Sequence, residues 1–506
     1  MPNIDHNILH IRNIYRALSS SEKLLFIKYL RLSEAKKLKT TSTGDKKVGK
    51  SRKGDLSVKF IEIIAKHCHA SSTSGIVDIV ATSFSSMQRR NLGNRVLKKL
   101  FDFLALEANL DRVKTAPVQK AQQYLTRNVA LLEVLLNKGL YDEFSYFNKK
   151  NLALADKYEL YNEACLILKL DLTYSVNRVK YKKFIQLKEE YDKRRFLADR
   201  IFEASMHVNS MQILFNEKIE SSRIVVFLEN VLSEMHVLKD RITSDGWKIY
   251  YNYIQLEYYQ QLRDYARSET ICHSVINIYL KSPIATKAML GLSYLQLAGN
   301  QLLSMDYVTC LNTCDKAISY FRVGMLNYIG TMEIQFLAQF HSGMLDQAIQ
   351  TVESVLALSS IRQNPIYLAK WEYYKTVILY RQGKFKDAYL HIQRCNDLYE
   401  DKEGWGIGLR ILLIMILLRR SLHEIIDNEI DNFRRMLAKL NKMGLVSKRA
   451  LLIFKIISQL PKYDYDLKLL VAQIKLELEL LNNNTIEFGW YVKGYELIRI
   501  EKEIII

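Results

Sequence analysis

Two groups of soft ligand residues stand out. His67, Cys68 and His69 are adjacent, and Cys310 and Cys314 lie four apart. A spacing of four puts two thiols on one helix face. Three consecutive residues instead point in different directions. Tetrahedral zinc needs a second ligand pair at short spacing, and none lies near His67–His69. That trio is read as structural or exposed. Cys310 and Cys314 are read as small buried packing residues. The six cysteines, Cys68, Cys165, Cys272, Cys310, Cys314 and Cys395, show no disulfide framework. No metal or cofactor is expected.

No G-x-G-x-x-G, H-E-x-x-H or G-x-S-x-G occurs in the sequence. Residues 43–51 superficially suggest a phosphate loop, but no hydrophobic strand precedes them, and that reading is rejected. Carboxylate pairs such as Glu189-Glu190 sit on strongly polar helical faces. With no residue set for catalysis, a non-enzymatic chain is expected.

The charge is uneven. The chain carries a net +19, of which residues 1–120, with 23 Lys/Arg against 10 Asp/Glu, hold +13. Concentrated positive charge attracts anions and steers association. Lys46, Lys47, Lys50, Arg52 and Lys53 form one basic group, and Arg89, Arg90, Arg95, Lys98 and Lys99 a second at a helix start. A short helix near Ile76–Thr82 precedes the second group. The pair would make a helix-turn-helix whose second helix meets a phosphate backbone. The competing reading is a solvated loop and a solvated helix face.

The elements that position these residues are helices. Only 5 Pro and 19 Gly occur in 506 residues, so long helices with few breaks are expected. Ser19 and Glu22 fit a capping box, followed by an apolar stripe of Leu24, Leu25, Ile27, Leu30 and Leu32. Residues 37–55 lose periodicity and read as a mobile loop. Helices return at Leu56–Lys66, Ile76–Thr82 and Ser86–Asn109, the last with Leu92, Val96, Leu97, Leu100, Phe101, Phe103 and Leu104 on one face. From Pro117 they come in pairs. Ser282-Pro283 and Asn364-Pro365 each read as an N-cap followed by proline at the first helical position. The longest apolar run, Ile411–Leu418, is far short of the ~20 residues of a membrane span. The opening residues lack a signal-peptide pattern, so the expected setting is cytoplasmic.

Repetition is the strongest pattern. Arg263-Asp264-Tyr265, Met305-Asp306-Tyr307, Gly343-Met344-Leu345 and Gly383-Lys384-Phe385 each join two apolar helical runs at spacings of 42, 38 and 40. Three residues after each bulky residue comes a small one: Ser268, Cys310, Ala348 and Ala388. Seven further on come Val275, Ala317, Val355 and Cys395. A bulky plug and a small residue one turn later suit a tight helical hairpin, and stacked hairpins bury a continuous core.

Residues 368–399 and 331–358 resemble a tetratricopeptide repeat through Gly383, Phe385, Ala388 and Cys395, and through Gly343, Leu345 and Ala348. They depart from it at Thr376 and Phe336, where the family has a small residue, and in a spacing longer than the family's. The stretches 18–30, 92–110 and 153–172 resemble a group of bacterial tetratricopeptide-like proteins from Bacteroidetes, which implies fold and little else. The expected architecture is all-α: an α-α superhelix, a tetratricopeptide-like solenoid, over residues 117–482. A basic helical region (1–116) precedes it, and a tail or capping helix (483–506) follows.

The resemblance implies that the first helix of each pair lines a concave face. That places Tyr250, Tyr253, Phe340, His341, Tyr373, Tyr380 and Arg381 in a groove suited to a peptide. Packing against neighbouring helices is the equal alternative for these aromatics. The family's Asn and Lys clamp for a C-terminal carboxylate is not matched: Tyr374 and Ile334 stand where Asn is expected. The expected function is a protein–protein interaction scaffold or adaptor with a protein or peptide partner. The alternative is a transcriptional regulator with a nucleic-acid-binding N-terminal region. The sequence does not fix an oligomeric state.

Overall fold

The apolar periodicity asks for helices, and a computed structural model of the chain supplies them. It describes residues 4–40, 53–67, 73–107, 116–176, 179–217, 221–400, 404–442, 446–483 and 488–505, and among these the protein is all-α. Two compact units divide between Asn128 and Val129. The division falls inside a helix, Pro117–Asn137, and not at its start.

The first unit holds α1 (Ile4–Ala17), α2 (Ser20–Thr40), α3 (Lys53–Lys66), α4 (Thr73–Ser83), α5 (Ser86–Glu107) and the beginning of α6 (Pro117–Asn137). Two parts of the expected loop at 37–55 are helical: α2 runs to Thr40 and α3 begins at Lys53. Residues 41–52 lie outside the described residues. The Ser19 capping box forms. Glu22 N–H donates to Ser19 Oγ at 3.3 Å, and the Glu22 carboxylate accepts from Ser19 N–H. Hydrogen bonding from the Ser19 side chain, and then from Ser19 N–H, pushes the Glu22 carboxyl below its usual range. Among the described side chains of α2, Phe26 and Leu30 are fully buried, whereas Leu24 is 58% exposed and Leu32 lies outside the described side chains. The expected stripe is therefore shifted, because Phe26 and Leu30 share a face at i, i+4. In α5, Leu92, Val96, Leu100 and Phe103 are buried and Phe101 is exposed.

The second unit runs through α7 (Tyr141–Lys157), α8 (Tyr161–Thr173), α9 (Tyr181–Asn216), α10 (Ser221–His236), α11 (Asp245–Gln261), α12 (Tyr265–Lys281), α13 (Lys287–Leu303), α14 (Tyr307–Ile318), α15 (Leu326–His341) and α16 (Leu345–Leu356). It continues with α17 (Ser359–Arg362), α18 (Pro365–Arg381), α19 (Phe385–Ile392), a 3-10 turn at Gln393–Glu400, α20 (Trp405–Arg419), α21 (His423–Asn441), α22 (Lys448–Ile457), α23 (Leu467–Gln473), α24 (Lys475–Asn482) and α25 (Ile500–Glu503). Helices pack mainly on their chain neighbours.

One turn recurs between helices. Gly139, Glu159, Arg263, Met305, Gly343, Gly383 and Ser421 all have positive φ. At each, the next residue's N–H returns to a carbonyl five residues back, as Asp306 N–H does to Gln301 O at 3.0 Å and Lys384 N–H to Leu379 O at 3.0 Å. This Schellman-type closure satisfies the orphan carbonyls of the first helix. Asp264 and Asp306 then cap the second helix by accepting from the N–H of Arg267 and Thr309. Ser268, Cys310, Ala348 and Ala388 are fully buried, as are Ala317, Val355 and Cys395. Close helix approach at each hairpin follows from that.

The left-handed conformation costs an L-residue about 1–2 kcal/mol. A Cβ at Gly343 or Gly383 would meet nothing within 4 Å, so only the backbone resists substitution there. Met305→Gly is expected to raise stability, and Gly383→Ala to lower it, each by about 1 kcal/mol. Urea midpoints followed by helical circular dichroism read both. Equal midpoints for both variants and the parent would refute the strain argument.

Asn364 caps α18 ahead of Pro365, accepting from Tyr367 N–H at 3.2 Å. Pro283 does not start a helix. It lies in a turn after α12, and α13 begins at Lys287 capped by Thr286. Ile411–Leu417 is buried inside α20. Among the described residues no helix is long and apolar enough to cross a membrane.

Candidate functional site

Of the basic residues singled out by the sequence, Lys46, Lys47, Lys50 and Arg52 lie outside the described residues, as does the side chain of Lys53. Arg90, Arg95 and Lys98 are exposed on α5, with Arg89 and Lys99 half-buried. The Lys99 ammonium sits 5.5 Å over the Tyr29 ring, which ties it to the first unit's own core. Gly44, Gly49, Lys50 and Ser51 do stand at phosphate-loop spacing, G-x-x-x-x-G-K-[ST]. That motif follows a strand, and here the element before it is the helix α2. Cys68 and His69 lie outside the described residues. Among the described residues no group of three or more His, Cys, Asp or Glu could hold a metal ion. Cys310 and Cys314 are fully buried, and Cys310 Sγ donates to Ala298 O at 3.2 Å. They pack the hairpin.

The aromatic residues tell more. Tyr250 packs against the core cluster that holds Trp247 and Ile254, and Tyr253 against the one that holds Val275 and Tyr279. Phe340, Tyr373 and Tyr380 are buried. His341, Tyr373, Tyr380 and Arg381 are brought together by one element: the chain's own non-helical C-terminal segment, residues 488–499, with the short α25 that follows. Tyr373 Oη donates to Tyr495 O at 2.7 Å. Tyr380 Oη donates to Glu503 Oε2 at 3.1 Å, Arg381 Nη1 to Glu503 Oε1 at 2.9 Å, and Arg419 Nη2 to Glu503 O at 3.0 Å. The His341 ring meets the Trp490 ring edge-on at 5.1 Å. Burial there pushes His341 down to about 4, against an opposing backbone hydrogen bond at Val492.

Two halves of this segment are held differently. The later half is anchored. Leu497, Ile498, Ile500 and Ile504 join the main core, each burial being worth about 1.5–3 kcal/mol. Arg449 on α22 is its hub. Nε and Nη2 bond the Glu496 carboxylate at 2.6 and 2.8 Å, and Nη2 also bonds Glu501 at 2.8 Å. Nη1 donates to Leu481 O and Phe488 O. Burial raises the Glu496 carboxyl, and Arg449 opposes that rise.

The earlier half is a loop. Trp490 Nε1 donates to Glu496 O at 2.8 Å and closes it, while Gly494 N–H donates to Tyr491 O at 2.8 Å and turns its tip. Lys493 stands at that tip. Below the loop, toward Trp405, Ser447 and Arg449, lies a cavity of about 420 Å³. Two helix-interior glycines admit the loop. A Cβ at Gly408 would lie 2.3 Å from Tyr495 O, and one at Gly299 would lie 2.8 Å from Lys493 Nζ.

Sequence reasoning missed Arg449, Glu496, Glu501 and Glu503, and also Lys493 and the glycines. Glycine inside a helical pattern was the available signal, since it is disfavoured there unless something approaches closely. No family model matches the chain, and neither a curated protein nor a solved structure matches it.

Proposed function

We propose that residues 117–482 form a tetratricopeptide-like α-α superhelix, and that the protein is a non-enzymatic interaction scaffold whose concave groove binds a non-helical peptide segment. The recurring turn and its buried small residues support the repeat architecture. One observation carries the binding reading. Side chains of α18 and α20 hold a stretch of polypeptide, bonding its main chain at Tyr495 and Glu503 and the Glu503 carboxylate. A face that binds main-chain carbonyls at fixed points suits peptide recognition, because preorganised donors lose little entropy on binding.

The test keeps the whole chain. A protease site is placed at residues 484–487, ahead of the segment, and the folded protein is cut there. Excess fluorescent peptide of sequence 488–506 is then added. Exchange of labelled peptide into the complex, with helicity unchanged, is the expected result. A fragment that stays in place against a hundredfold excess of peptide removes the reading.

A further inference from the structure

The anchored half of the C-terminal segment carries carboxylates at alternate positions. Glu501 and Glu503 are both buried, while Lys502 between them is exposed. Ile500 and Ile504 on either side sink into the main core. Glu501 is met by Arg449 at 2.8 Å and by Arg499 of the segment itself at 2.7 Å. Glu503 is met from the helices. Tyr380 Oη donates to one of its carboxylate oxygens at 3.1 Å, and Arg381 Nη1 to the other at 2.9 Å. Arg419 Nη2 donates to the main-chain carbonyl of the same residue at 3.0 Å and lies 3.5 Å from its carboxylate. These three side chains stand at the C-terminal ends of α18 and α20 and converge on one residue.

The convergence measures a side chain as well as its charge. Arg419 fixes the carbonyl, Tyr380 and Arg381 fix the carboxylate, and the span between those points is that of a glutamate. Aspartate, one methylene shorter, cannot reach both. Glutamine gives up the charge and turns an amide donor toward donors, which leaves buried polar groups unpaired. For glutamate the cost of leaving water is offset by charge-assisted bonds, about twice as strong as neutral ones. Two guanidiniums around one carboxylate leave the pocket net positive. The Arg381 side chain is 48% exposed, so that positive charge faces solvent and favours an acidic residue arriving from outside.

We propose that Tyr380, Arg381 and Arg419 form a glutamate-reading subsite, which takes a glutamate from an acidic, isoleucine-flanked segment of a partner protein and which Glu503 fills in cis. The proposal rests on the groove reading above and gives that groove its ligand class. The flanking requirement follows from Ile500 and Ile504, whose burial sets the depth at which the carboxylate meets its three donors.

The cut protein described above supplies the test. Three fluorescent 488–506 peptides are titrated against it: the parent peptide and its Glu503→Gln and Glu503→Asp variants. The parent is expected to bind at least about tenfold tighter than either variant. Arg381→Gln in the protein, with helicity checked by circular dichroism, should shrink the gap between the parent and Glu503→Gln peptides at least about threefold, because both changes remove the same interaction. If either variant peptide binds as tightly as the parent, the subsite is overturned and the groove reading stands. If no peptide exchanges, the groove reading falls and takes the subsite with it. A gap that Arg381→Gln leaves at full size also overturns the assignment. The peptide comparison uses the unsubstituted helices, so it decides even where the Arg381 variant fails to fold.

Discussion

Arg449→Met is expected to lower the stability of the 129–506 unit by about 3–5 kcal/mol, the usual cost of removing one partner from a buried ion pair. Methionine matches much of the volume, so the loss is electrostatic. Arg449 donates from Nε, Nη1 and Nη2 of its guanidinium. It forks onto Glu496, bridges to Glu501, and satisfies two carbonyls. Glu501 retains Arg499, whose Nε lies 2.7 Å away. Among the described residues Glu496 keeps only a long bond of 3.4 Å from Ile500 N–H, so it becomes the uncompensated charge. Lysine in place of Arg449 should rescue little, because a single ammonium cannot reproduce a planar fork. Adding Glu496→Gln and Glu501→Gln to Arg449→Met should recover more than half of the loss. Urea unfolding supplies the energies, and hydrogen exchange over 488–505 shows where protection disappears. A loss under 1 kcal/mol, or loss of protection elsewhere in the chain only, would refute the hub assignment.

The helices and four of the recurring turns were readable because their signals are local. Asp264 and Asp306 announce helix starts, and Gly343 and Gly383 announce left-handed residues. Glu159 and Ser421 adopt the same turn with no such mark. At those positions packing of the flanking helices overrides residue preference, and a single sequence carries no trace of that. The C-terminal segment was harder still. Tyr373 meets Tyr495, and Tyr380 meets Glu503, across more than 120 residues of chain, so no periodicity links them. The residues expected to line a groove were reached through helix register, while the segment that packs on Tyr373 and Tyr380 looked like a tail. Arg449 looked like one more basic residue on a basic chain. Only its 6% exposure separates it from a solvated arginine, and burial at that level is a tertiary property.

Gly408→Ala is expected to reverse the usual sign of a helix-interior glycine substitution. Alanine normally gains about 1 kcal/mol over glycine in a helix. At Gly408 the new methyl would lie 2.3 Å from Tyr495 O, 3.0 Å from Tyr495 C and 3.1 Å from Tyr373 Oη. Two of these are main-chain atoms, and no side-chain rotation relieves them. The Tyr495 carbonyl is also pinned by Tyr373 at 2.7 Å, so relief requires the 490–496 loop to lift. A net loss of about 1–3 kcal/mol follows, in the range of other overpacked sites. Gly330 in α15 is the control, since a Cβ there meets nothing within 4 Å. Gly330→Ala should stabilise by up to about 1 kcal/mol. The two variants should also differ in where they act. Gly408→Ala should speed hydrogen exchange at 490–496 and accelerate peptide exchange in the cut protein. The anchor should stay protected, because Glu503 keeps Arg381 and Arg419. If Gly408→Ala stabilises the protein as Gly330→Ala does, the loop does not occupy that face in solution.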